Sequence, residues 1–282
     1  MKRIAITLAA AVVAVIGAQA QEKERYMVVT KADNSTVEIP VGKVKDITFT
    51  EKEKNQVFTE VFTVEGVSFT MIRVVGGTFQ MGQSADDNDV TPVHDVTLSD
   101  YYIGETEVTQ ELWEAVMGSN PSYFSGAKRP VECVTWNDCQ EFITKLNALT
   151  GQQFRLPTEA EWEFAAKGGT KSKGYTYSGS NTIGDVAWYF DNSDNQTHEV
   201  ATKAPNELGI YDMSGNVWEW CQDWYGSYSS SAQTNPTGPS SGSFRVFRGG
   251  SWLSYSEFCR SANRYIDDPT CGNDNVGLRI AL

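Results

Sequence analysis

The sequence predicts an α+β fold with little regular secondary structure: one large loop-rich domain preceded by a small β unit. Three observations point there. Only three stretches carry clear helical signals, the chain beyond Gly169 is dense in Trp, Gly, Asn and Ser without long periodic segments, and the region before residue 58 reads as short strands separated by turn residues.

In order along the chain, residues 1–20 have the pattern of an export signal. Lys2 and Arg3 form a basic start, the apolar run that follows is too short to cross a bilayer, and Ala18 and Ala20 stand in the A-x-A arrangement read by a signal peptidase. Cleavage after Ala20 and export to the periplasm, the cell envelope or the medium are expected. No cysteine follows the apolar run to carry a lipid, and no later stretch suits a membrane span. Residues 21–57 then read as the small β unit, with YMVVT, TVEIPV and KDITFT rich in β-branched residues, DNS as a turn, and EKEKNQ as a hydrophilic link.

The large domain spans 58–282. Its first helix is expected over VTQELWEAVMG, from Thr109 as cap to Gly118. The second follows Thr135 and ends at Gly151, with Trp136, Cys139, Phe142, Ile143, Leu146 and Leu149 on one apolar stripe. The third opens on the capping box of Thr158 and Glu161 and stops at Gly168. After it, large indole rings bury enough area to order irregular backbone. SYSSSAQTNPTGPSSGS, residues 227–243, is a polar insert expected as a mobile surface loop.

The formal charge of −13 repels phosphate backbones and anionic lipid, so nucleic acid is a poor partner. Five cysteines (Cys133, Cys139, Cys221, Cys259, Cys271) and two histidines (His94, His198) form no C-x-x-C or cysteine–histidine cluster, which leaves a zinc site unsupported. His198 reads as a loop histidine. Glu159, Glu161 and Glu163, spaced two apart, are expected to scatter around their helix instead of pairing as acid and base.

GNVWEW (Gly215 to Trp220) is the most informative hexapeptide, because two tryptophans two apart share one face of a strand. GGTFQMG, YYIGETEVT, FRLPTEAEWEFAAKGG, FRGGSW and VGLRIA complete an ordered series from Gly76 to Ala281. That series resembles the formylglycine-generating enzyme, or sulfatase-modifying factor, family. The resemblance implies an elaborated C-type-lectin-like domain with few helices and a twisted antiparallel sheet.

Active members of that family oxidise a sulfatase cysteine to formylglycine with oxygen and a copper ion held by two cysteines; paired thiolates suit soft Cu(I). Matched from Ser251, the two cysteine positions fall on Ser254 and Cys259. A serine hydroxyl is a weak donor to cuprous ion, so the resemblance implies a broken copper site. Matched instead to the element RSANR, Cys259 falls beside a structural cysteine of the family, which implies a disulfide between Cys139 and Cys259; two buried free thiols are the alternative. The family's calcium loop maps onto the side chains of Asp212 and Glu219 and the carbonyls of Gly215 and Val217, oxygen donors suited to a hard dication. The alternative is that both carboxylates are solvated or bonded to backbone. A second calcium site would fall near Asn192 and Asp194.

The segment from Trp252 to Val276 also resembles the variable region of retroelement-diversified ligand-binding proteins. By that resemblance Trp252, Leu253, Ser254, Tyr255, Phe258, Tyr265, Ile266, Asp267, Asp268, Asn273 and Asp274 are expected to face a protein or glycan ligand; an ordinary loop surface is the alternative. Three functions remain open: a non-catalytic exported binding module, an oxidase or other enzyme in the same cleft, and an envelope-assembly role.

Overall fold

A computed structural model of the chain describes residues 26–30, 36–40, 58–84 and 90–282. The chain divides into two compact units, Met1–Asn55 and Gln56–Leu282. In the first, β1 (Tyr26–Thr30) and β2 (Thr36–Pro40) pair antiparallel, Tyr26 opposite Pro40 and Thr30 opposite Thr36. The expected leader, the strand KDITFT and the link EKEKNQ lie outside the described residues.

The second unit runs through β3 (Thr59–Val64), β4 (Val67–Val74), β5 (Gly77–Met81), β6 (His94–Leu98) and β7 (Tyr101–Gly104). It then enters α1 (Gln110–Met117), α2 (Trp136–Thr150), α3 (Glu159–Ala166) and the short α4 (Ile183–Val186). It closes with β8 (Trp218–Trp224), β9 (Gln233–Thr234), β10 (Arg245–Arg248), β11 (Arg264–Asp267) and β12 (Val276–Leu278). Three sheets result, in the orders β3-β4-β7, β5-β6-β9 and β11-β10-β8-β12, the last with β12 parallel to β8.

Each helix begins where a side chain satisfies its free amides. Thr109 Oγ accepts from Leu112 N–H, while Thr135 with Asp138 and Thr158 with Glu161 form reciprocal capping boxes. Gly118 and Gly151 end α1 and α2 at φ of 82° and 71°, in the left-handed region that a side chain disfavours. On α2, Cys139, Phe142, Ile143 and Leu146 are buried as the stripe predicts, whereas Leu149 stands exposed on the last turn.

Two cores share the sheet of β8 and β10. Alternation along the strands sends Trp218, Trp220 and Phe247 into a core with α1 and α2, where Trp113 stacks on Phe142 with centroids 4.9 Å apart. Cys221 and Val246 point the other way, into a core with Trp162 and Phe164 of α3. On that second side lies a buried charge network. Arg248, with no exposed surface, bonds Glu163 at 2.6 Å and Glu159 at 3.1 Å, and Arg264 grips Glu159 at 2.6 Å. Glu159 and Glu163 therefore share one face of α3, one turn apart, instead of scattering around it as their spacing had suggested; only Glu161 turns elsewhere, to the cap and Arg155.

The insert 227–243 is more fixed than its composition suggests. Tyr228 reaches inward to Glu159 at 3.1 Å, β9 pairs with β6, and Asn235 bonds both the amide and the hydroxyl of Ser99.

Candidate functional site

The site is built on the turn that leaves β10. Gly250 adopts φ 77°, and a Cβ there would lie 2.6 Å from Cys259 Sγ, so only glycine lets the Cys259 turn pack against RGGSW. Ser254 Oγ accepts from Ser251 N–H at 3.0 Å and sits 3.1 Å from Ser251 Oγ, which in turn is 3.4 Å from Asn275 Nδ2. Cys259 has no exposed surface, and its thiol donates to Tyr255 O at 3.7 Å. Burial pushes that thiol up to about 12 against the opposing amides of Ser251 and Gly215, so it stays protonated at neutral pH.

Ser254 Oγ and the Cys259 thiol both lie by the amide of Ser251, and the two positions matched to the copper cysteines hold a hydroxyl and a neutral buried thiol. The Cys139–Cys259 bond expected from the resemblance is not formed. All five thiols are free; Cys139 is packed in the α1–α2 core, and Cys259 belongs to neither core cluster, its neighbours being Gly250 and the main chain of Tyr255.

Outward from this turn the surface is aromatic. Leu253, Tyr255 and Phe258 are exposed large side chains. Phe190 joins them, its ring 4.8 Å from Tyr255 and its amide donating to Ser254 O at 3.0 Å. Trp252 is buried beneath, edge-on to Phe124 at 5.3 Å, and Phe124 is edge-on to Tyr123, which is 73% exposed. The buried Ser193 hydroxyl ties the 190s turn to Trp252 O at 2.8 Å.

Of the other expected ligand residues, Ser254 faces inward. Tyr265 is exposed and stacks on Phe247 at 5.6 Å, and with Ile266, Tyr225 and Arg264 it lines a cavity of about 230 Å³. Asp267 accepts from Asn273 Nδ2 at 3.4 Å, and Asp268 spends its carboxylate on Thr270, whose bonds hold it below the usual range. Asp274 offers its carbonyl to Trp252 Nε1 at 3.1 Å. Tyr123, Phe124 and Phe190 were missed because SYFSG and AWYFDN carry no period or motif; only folding brings them to Trp252.

Behind the surface, Glu107, Asp212 and Glu219 are buried around Arg279. Arg279 bonds both Glu219 oxygens, at 2.7 and 3.0 Å, and Trp162 Nε1 donates to Glu219 at 2.6 Å. Glu107 accepts from Asn216 Nδ2 and Val217 N–H. Asp212 Oδ2 accepts from Ala201 N–H at 2.7 Å, but its Oδ1 is buried with no hydrogen-bond partner among the described residues. Burial, then the neighbouring carboxylates, drive Glu107 well above the usual range; burial leads the rise of Asp212 to about 6. Gly215, at φ 81°, has room for no side chain because a Cβ would meet Trp188 O at 2.2 Å. Near the second expected calcium position, Asn192 uses its side chain on Tyr189 N–H and Ala187 O. His198 stacks on Trp188 and faces Ser193 O, a structural placement.

The three sheets, three capped helices and loop-built aromatic surface define an α+β, elaborated C-type-lectin-like domain. A family profile described as "Sulfatase-modifying factor enzyme 1-like domain" matches residues 57–282, and the chain belongs to that family. It is 38% identical over 240 residues to "Chaperone protein LppX" of Paenibacillus barcinonensis, covering 67% of this chain and 80% of that one. It is 29% identical to the "Formylglycine-generating enzyme" of Streptomyces coelicolor over 74% of this chain and 88% of the relative. It spans only 37% of "Serine/threonine-protein kinase pkn1" of Chlamydia pneumoniae, at 35% identity. Among solved structures, "Treponema denticola variable protein 1" superposes with a TM-score of 0.73 at 39% identity, covering 79% of this chain and 98% of that one.

Proposed function

We propose that this chain is an exported, non-catalytic binding protein that holds a protein or glycan ligand on the aromatic surface around Trp252. The observation that carries the reading is the convergence of Tyr123, Phe190, Leu253, Tyr255 and Phe258, drawn from three distant segments, as exposed large side chains around one rigid turn. Tyrosine and phenylalanine anchored on a packed base give large contact area at small entropic cost. The likeness to the Treponema variable protein and to the LppX chaperone supports a binding role, and the leader-like start supports a periplasmic, envelope or secreted location.

Copper does not fit the residues present. Cu(I) prefers paired thiolates, and Cys259 offers a single neutral thiol beside a hydroxyl. The alternative reading, an oxidase acting on a sulfatase cysteine, draws its support from the likeness to formylglycine-generating enzymes.

Calcium fits in charge and at one oxygen. Glu219 is paired with Arg279 and Glu107 is held neutral by burial, so the charge open to an ion is that of Asp212, whose Oδ1 has no hydrogen-bond partner among the described residues. Asp212 and Glu219, with the Gly215 and Val217 carbonyls, would hold the ion, although Glu219 would first have to loosen its bonds to Arg279. A bound dication there would neutralise buried negative charge and stiffen the loop under Trp252.

The test is binding of the purified protein and its Tyr123→Ala/Tyr255→Ala double variant to a glycan array and to a peptide array of envelope proteins. The proposal expects at least one saturable ligand that loses ten-fold or more in affinity in the double variant while the melting temperature is unchanged. Equal binding by both proteins to every ligand would remove this surface from consideration.

A further inference from the structure

Of the five thiols, Cys139, Cys221 and Cys259 have no exposed surface, whereas Cys271 is exposed and Cys133 is half-buried. These two accessible cysteines lie far apart in sequence yet on touching strands of backbone. Cys133 N–H donates to Asn273 O at 2.9 Å, and a Cβ on Gly272 would lie 3.1 Å from Cys133 O and 3.2 Å from Cys133 C. Gly272 adjoins Cys271, so covalent geometry keeps the Cα atoms of Cys133 and Cys271 within about 10 Å. A disulfide spans Cα separations of about 4.4–6.8 Å, so closure needs a loop shift of roughly 3 Å or less and a turn of the two thiols away from Glu132 and Asp267. Residues 270–273 are all exposed, and the shift would have to loosen the Cys271 N–H bond to Asp268 O at 2.9 Å.

We propose that Cys133 and Cys271 form a reversible disulfide that pins the 268–274 loop to the segment entering α2. Cys133 sits at φ 59°, a left-handed conformation unusual for a side chain, with its thiol beside Glu132. Burial and Glu132 push that thiol up to about 12, and Asp267 raises Cys271. Neither is a ready thiolate at neutral pH, so closure requires a disulfide-bearing oxidant, either a small disulfide or a disulfide oxidoreductase.

Two exchanges balance the reaction. The Cys271 sulfur, losing its proton, bonds one sulfur of the oxidant's disulfide, and the other sulfur leaves as a thiolate and is protonated. The Cys133 sulfur then loses its proton and displaces the remaining oxidant sulfur from Cys271, which leaves as a second thiol. Two protein thiols become one disulfide, and the oxidant's disulfide becomes two thiols.

The experiment treats the full chain with oxidised glutathione, traps free thiols by alkylation, and maps peptides by mass spectrometry without reduction. The expected result is one linked pair, Cys133 with Cys271, no retained glutathione, and Cys139, Cys221 and Cys259 modified only after unfolding. A Cys133→Ser variant should instead retain one glutathione on Cys271. Glutathione held on Cys271 in the parent, a Cys271-linked dimer, or two unmodified thiols would each overturn the proposal. The readout does not depend on the aromatic surface, so the crosslink and the ligand reading fail separately.

Discussion

Asp212 carries a buried oxygen that nothing among the described residues satisfies, beside the engaged carboxylates of Glu107 and Glu219. Leaving such an atom unpaired costs about 1–3 kcal/mol, more for a charged group, so the position is expensive unless a cation or a proton occupies it. With its carboxyl raised to about 6, Asp212 takes up the proton only below neutral pH, and calcium would be the other solution. Adding calcium at 100 times its Kd should therefore stabilise the protein by about 2.7 kcal/mol, with a matching rise in melting temperature. Asp212→Asn should abolish that rise. A calcium-dependent shift of equal size in the variant would show that the ion binds elsewhere.

At the scale of elements, α3 is locked to the β8–β10–β11 sheet by charge as well as by packing. Glu163 illustrates the balance: burial alone would raise its carboxyl, yet Lys167 and Arg248 outweigh it and hold it below the usual range. Asp223, which accepts from the first amide of α3 at 3.0 Å, shows the opposite outcome, since burial and then Glu159 lift it to about 8. The folded protein therefore holds a proton on Asp223 that the unfolded chain releases near pH 4. That contribution to stability is complete at low pH and is lost as the pH rises from about 4 to about 8, by up to about 1.4 kcal/mol per pH unit. Asp223→Asn, which keeps an acceptor for α3, should flatten this slope in denaturant titrations at pH 5, 6.5 and 8. An unchanged slope would mean that another group carries the proton.

The three helices were legible in sequence because their caps, stops and stripes are local. The shared face of Glu159 and Glu163 was obscured because their partners, Arg248 and Arg264, come from strands more than 80 residues away. The polar insert misled for a related reason: Tyr228 and Asn235 are anchors only once Glu159 and Ser99 are beside them.

At the scale of the whole molecule, the sulfatase-modifying-factor fold supplies a base of two cores, and the proposed ligand surface lies on the loops above it. The RGGS element located Ser254 and Cys259 in the chain, and both lie by the Ser251 amide. The aromatic partners from residues 123, 124 and 190 were not legible, since contact between irregular segments leaves no period in the chain. The proposed binding role rests on a single thiol beside the Ser251 amide and on the aromatic surface around Trp252. Anaerobic Cu(I) titration, followed by assay on a sulfatase-derived cysteine peptide, tests this most directly. The parent should bind Cu(I) at least a hundred-fold more weakly than a Ser254→Cys variant and show no turnover. Tight two-sulfur binding and formylglycine production by the parent would contradict the account.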